Sequence, residues 1–166
     1  MMRHTPTVAI VLFACLAAAP TTKPAKQETY TVEQIIKAIP KEDRPPADST
    51  WTQLQVKNCE KAIEKLLDGK SVTLKAIDVG QVRQTKDGVV IDAGSGFKVV
   101  GDYYVALSCH APLSEADAKR AAKLQPKDAI TISGIVKKVA VSVETLRMSK
   151  GHWTKIEVEF SDASFK

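Results

Sequence analysis

Leu124-Gln125-Pro126-Lys127-Asp128-Ala129-Ile130-Thr131-Ile132-Ser133-Gly134-Ile135-Val136 decides the architecture of this chain. Pro126 closes the helix before it, because proline cannot continue a helical hydrogen-bond ladder. Lys127-Asp128 makes a turn, and from Ala129 the apolar residues alternate at period two, as a strand with one buried face requires. Gly134 sits in the middle of that strand. Upstream, Ser114-Glu115-Ala116-Asp117 is a helix start, and it predicts a helix running to about Leu124. Ala111-Pro112 ends the strand before that, Tyr103 to His110.

Further back the period is again two. Val72, Leu74 and Ala76 alternate, then the phase slips through Ile77, Val79 and Val82 around Gly80, which predicts a bulge in a long strand. Lys86-Asp87-Gly88 is a hairpin turn. Val89 to Asp92 is a second strand, with a break at 93–96 before Phe97 to Val100, and Gly101-Asp102 turns into the third. Beyond the quoted stretch the fourth strand runs to Val139. A loop, Ala140 to His152, leads to a last strand with Ile156, Val158 and Phe160 on one face and Lys155, Glu157 and Glu159 on the other. Three strands, a helix and two strands this short must close on themselves, since open edges invite association.

Two helices precede this set. Thr31-Val32-Glu33-Gln34 reads as a capping box opening a helix with Val32, Ile35, Ile36 and Ile39 on one side, stopped by Pro40. Thr50-Trp51-Thr52-Gln53 reads as a second box, opening a longer helix that ends near Asp68-Gly69. Its apolar stripe is Val56, Cys59, Ile63, Leu66 and Leu67, while Glu60, Lys61, Glu64 and Lys65 form a solvated face.

The first nineteen residues read as a secretory signal: Arg3 and His4, then the apolar run Val8 to Ala19, too short for the ~20 residues of a membrane span. The expected location is therefore outside the cytoplasm, periplasmic or secreted. Leu12-Phe13-Ala14-Cys15 resembles a bacterial lipoprotein box, with Cys15 as the acylation site, but departs from it at Phe13 and Leu16. Residues 20–30 read as a tether, 31–69 as the helical extension and 70–166 as the barrel. After loss of Cys15 two cysteines remain, Cys59 and Cys109. They are either separate buried thiols or a disulfide closing a long loop, worth ~2–4 kcal/mol.

The order of elements, with its single helix between the third and fourth strands, is that of the OB-fold, a five-stranded Greek-key barrel. The quoted stretch is similar to the helix exit and fourth strand of the "tRNA anticodon-like" OB domains found in exported bacterial proteins. Those domains usually carry Gly-Asp where this chain has Lys127-Asp128. The resemblance covers roughly residues 70–163 and implies a mainly β barrel with helices. The family name implies nucleic-acid binding, yet the fold alone carries no function.

In OB-folds ligands lie across the second and third strands and the loops beside them. On the third strand Tyr103, Val105, Leu107 and Cys109 make the better core face, which leaves Tyr104, Ser108 and His110 outside. Candidate ligand-binding residues are thus Tyr104 and His110, Arg83 and Lys86 of the first hairpin, and Arg147, Lys150, His152 and Trp153 of the long loop. The chain has 24 basic and 19 acidic residues among 166. Signal removal takes only Arg3 of these and leaves +4, an excess carried by the barrel segment. Cations beside rings suit single-stranded nucleic acid, although an ordinary lysine-rich surface has the same composition and an exported protein meets envelope proteins and anionic ligands more often. Ser108 and His110 share a strand face without a nucleophile elbow, no phosphate loop or calcium loop is present, and Cys109-His110 points to opposite faces of a strand. The expectation is a non-enzymatic binding module with no cofactor and no metal.

Overall fold

The computed structural model describes residues 27–44, 51–100, 103–145 and 152–166. The signal segment, Cys15, Arg147, Lys150 and the turn Gly101-Asp102 lie outside the described residues. The elements are β1 (Glu28–Tyr30), α1 (Val32–Lys37), a 3-10 turn (Lys41–Asp43), α2 (Gln53–Leu67), β2 (Ser71–Thr85), β3 (Gly88–Val100), β4 (Tyr103–Pro112), α3 (Glu115–Ala121), β5 (Ala129–Thr145) and β6 (His152–Phe165).

Five strands close a ring. β2 pairs with β3, β3 with β4, β5 with β6 and β2 with β5, all antiparallel, and β4 pairs with β6 in parallel. β2 serves two partners because it bends. Its first half faces β5 and its second half β3, with register shifts between Leu74 and Ile77 and between Val79 and Gln81. Ala76 has φ 53° at the first shift, and Gly80 occupies the second. The chain is mainly β, and this ring is its architecture.

Three boundaries differ from the sequence reading. Glu28–Tyr30, within the stretch read as tether, is a strand parallel to Val72–Leu74. Its pairing partner is the open edge left where β2 turns from β3 to β5, which no local pattern reveals. The break read at 93–96 is a register shift inside one continuous β3. The loop read as Ala140 to His152 is mostly strand: β5 continues to Thr145 and β6 begins at His152, with Glu144 opposite Trp153. Val139 and Val141 continue the buried alternation, so Ala140, Ser142 and Glu144 are the outer face of the same strand.

Thr31 caps α1, accepting from Gln34 N while the Gln34 side chain accepts from Thr31 N. The second box is Thr52 with Gln55, two residues later than the one read at Thr50. That shift places Trp51 before the cap and Val56 one turn in, and both pack on the core, as in a hydrophobic staple. Arg44 donates to the carbonyls of Ile39 and Lys37, which closes the end of α1. Asn58 and Cys59 of α2 donate to Asp43, so the two helices are tied by polar contacts as well.

Val32, Ile35, Ile36, Ile39, Cys59, Ile63 and Leu67 join Leu74, Leu107, Ile132, Ile156 and Phe160 in one buried cluster. The helices therefore spend their apolar faces on the barrel. The candidate bridge between Cys59 and Cys109 is not formed: both are free, buried thiols. Each occupies an apolar position of its own element, and burial, before any nearby charge, pushes both thiols up to about 12.

Lys127 adopts φ 76°, a region that costs a residue with a Cβ ~1–2 kcal/mol. Its N–H still donates to Val79 O, and Asp128 accepts from Gln125 N to close the turn. Lys127→Gly, which removes that cost and keeps both bonds, is expected to stabilise the fold by up to ~1 kcal/mol, read as a rise in denaturant midpoint at unchanged slope.

Candidate functional site

The side chains that leave the ring are set by alternation. On β4 Val105, Leu107 and Cys109 point in, and on β6 Thr154, Ile156, Val158 and Phe160 do. Because β4 and β6 run parallel and in register, their outward residues meet as pairs: Tyr104 with Trp153, Ala106 with Lys155, Ser108 with Glu157 and His110 with Glu159. β3 and β5 extend these pairs into rows. One row reads Gln81, Asp92, His110, Glu159, Lys138 across β2, β3, β4, β6 and β5. Another reads Val99, Tyr104, Trp153, Glu144.

Along the first of these rows lies a groove of about 570 Å³. Ser108 and Ala140 leave room on its floor. At one end Asp92 gathers three donors. Arg83 Nε is 2.7 Å and Gln81 Nε2 3.0 Å from Oδ2, and His110 Nδ1 is 2.8 Å from Oδ1. Burial alone would raise the Asp92 pKa. The hydrogen bonds from Arg83, His110 and Gln81 and the Arg83 charge outweigh it and hold the carboxyl below its ordinary range.

The opposite wall is acidic but compensated. Lys155 Nζ lies 2.6 Å from Glu157 and 4.0 Å from Glu144, and Lys137 Nζ lies 2.9 Å from Glu159. The Lys137 hydrogen bond, against some burial, holds Glu159 below the ordinary carboxylate range. A register shift between Val136 and Lys138 turns both lysines outward over Glu159. The groove is charge-balanced rather than basic.

The structure thus brings Arg83 and His110 together at one carboxylate, and sets Tyr104 beside Trp153 on the same face. Tyr104 is 38% exposed and Val99 63%, so this row presents apolar surface to solvent. His152 is at the start of β6 opposite Thr145, on a strand and not in a loop. Lys86 sits in the β2–β3 turn and does not line the groove. Asp92, Lys138, Glu157 and Glu159 were missed by sequence reasoning. Their signal was their outward phase, but which of them faces His110 depends on cross-strand register.

Ser108 lines the groove with His110, yet no hydrogen bond joins the two among the described residues, and His110 Nδ1 is held by Asp92. Among the described residues no three His, Cys, Asp or Glu side chains gather as metal ligands. No described helix is long and apolar enough to cross a membrane. No family model matches the chain, and no curated protein matches it.

Proposed function

We propose that this chain is an exported, non-enzymatic binding module on an OB-fold barrel, which takes an extended ligand along the outer face of β3, β4 and β6. The observation that carries this reading is the parallel, in-register pairing of β4 with β6, which lines up outward side chains into one strip ending in a groove. Support for the OB reading comes from the ring order β2-β3-β4-β6-β5 and from α3 lying between β4 and β5 in the chain. Export rests on the N-terminal sequence pattern.

The balanced charge favours a ligand that is not a polyanion, because phosphate chains are held chiefly by excess cations. The second reading, single-stranded nucleic acid, is favoured by one feature, Tyr104 beside Trp153. Stacking on such rings is worth ~1–3 kcal/mol per base.

The test is display of the purified protein on arrays of peptides, glycans and single-stranded oligonucleotides, with Ser108→Trp as a plug for the groove floor. Capture of a peptide or glycan that the plug weakens at least tenfold is the expected result. Capture indifferent to the plug, or none from any array, sinks the groove reading. Oligonucleotide binding that persists at physiological salt and drops several-fold in Tyr104→Ala or Trp153→Ala would put the second reading first.

A further inference from the structure

We infer that the Asp92 end of the groove is a recognition site for a pair of adjacent hydroxyl groups on a neutral sugar. This inference rests on the groove being a binding site, as proposed above, and names what that site reads. Its basis is the way one carboxylate sets two neighbours. Asp92, ionised, accepts from Arg83 Nε through Oδ2 and from His110 Nδ1 through Oδ1. That bond places the proton of a neutral imidazole on Nδ1 and leaves Nε2 as an acceptor on the side chain next to Glu159.

Neither Arg83 nor His110 makes another hydrogen bond among the described residues, and their side chains are 46% and 43% exposed on the groove. The Nη groups of Arg83 therefore offer a donor fork beside the His110 acceptor. An anion matches the first and is repelled by the second. A single peptide unit carries its N–H and C=O on opposite sides, so a peptide would have to be held fully extended to serve both. Two neighbouring hydroxyls serve both directly, one accepting from Arg83 and the other donating to His110. Gln81, donating to the same carboxylate, keeps its own carbonyl as a further acceptor.

Two other observations point the same way. The groove walls pair their charges, which suits an uncharged ligand rich in donors and acceptors. Tyr104 and Trp153 lie outside the groove, further along the same outer face, where a ring can stack against the apolar side of a longer sugar chain. Asp92 acts here as a positioning residue, fixing the tautomer of one group and the angle of the other.

The experiment is NMR titration of the full chain with cellobiose, lactose and chitobiose, and separately with acetate and acetamide. Long-range nitrogen–proton spectra first report the His110 tautomer. The expected results are an Nδ1-protonated His110, and millimolar saturation by at least one disaccharide that shifts His110 and the Arg83 Nε signal. Arg83→Lys, which keeps the charge and loses the fork, weakens that binding at least tenfold. Asp92→Asn does the same and changes the tautomer signature. An Nε2-protonated His110, failure of all three sugars to saturate, equal saturation by acetate or acetamide, or sugar binding unmoved by Arg83→Lys each overturns the inference. Sugar failure with plug-sensitive array capture intact removes this inference alone. Loss of plug-sensitive capture removes the binding-module reading as well.

Discussion

Phe160→Ala is expected to remove ~3–5 kcal/mol of stability, a large share of the 5–15 kcal/mol typical of such a fold. Phe160 is the largest fully buried side chain among the described residues and has no exposed surface. Its environment explains why the space cannot collapse. The ring packs over Gly134 of the neighbouring strand, where an added Cβ would sit 3.0 Å from Phe160 Cδ1 and 3.2 Å from Ala163 Cα and Ser161 O. The glycine and the aromatic ring are therefore one packing unit across β5 and β6. Gly134→Ala alone should destabilise by crowding, and the double variant should cost less than the sum of the two singles by ~0.5–3 kcal/mol. Chemical denaturation of the four proteins measures this. Additivity to within experimental error would show that the two residues do not share that space.

Gly94→Ala is the second large effect, expected to cost ~1–3 kcal/mol and to disturb the groove. Here the added Cβ would lie 2.7 Å from Leu107 O, a backbone atom that cannot swing aside. The site is already irregular. Between Gly94 and Phe97 the β3–β4 register shifts, and Leu107 N donates to the hydroxyl of buried Ser95. Ser95 in turn donates to Gly96 O. Forcing the strands apart at Gly94 breaks that relay and moves Asp92 relative to His110, two residues along. A variant as stable as the parent, with His110 signals unchanged, would contradict the close approach. Ser108→Ala, the outward neighbour on β4, is the control and should change stability by less than ~0.5 kcal/mol.

Much of the ring was legible because buried and outward residues alternate within each strand. Val105, Leu107 and Cys109 announce an inner face, and by elimination Tyr104 and His110 an outer one. The same logic reached Gly80, whose phase slip is a real register shift. It failed at residues 140–145, where Ala140, Ser142 and Glu144 interrupt Val139, Val141 and Val143 one by one and are only the outward half of β5. It failed again at Glu28–Tyr30, three residues whose strand character comes entirely from a partner some forty positions away. The site shows the same division. Tyr104 and His110 could be chosen by their outward phase, and Arg83 and Trp153 by their place in a hairpin and a loop. Asp92 and Glu159 could not, because their place beside His110 follows from an antiparallel pairing with a shift and a parallel pairing between segments about fifty residues apart.

The position of β6 has a consequence for how the chain reaches this state. The last strand in sequence lies between β4 and β5 in the ring, so neither of those can complete its hydrogen-bonding edge until the fourteen residues of β6 arrive. Closure also waits for β2 to meet β5 across some sixty residues. Contacts this distant in sequence make for slow folding, on the millisecond-to-second scale rather than microseconds. Until then β4 and β5 each present a bare edge to their surroundings, and the wall of the groove does not exist. The groove and the ring close in one event, completed when β6 docks between β4 and β5.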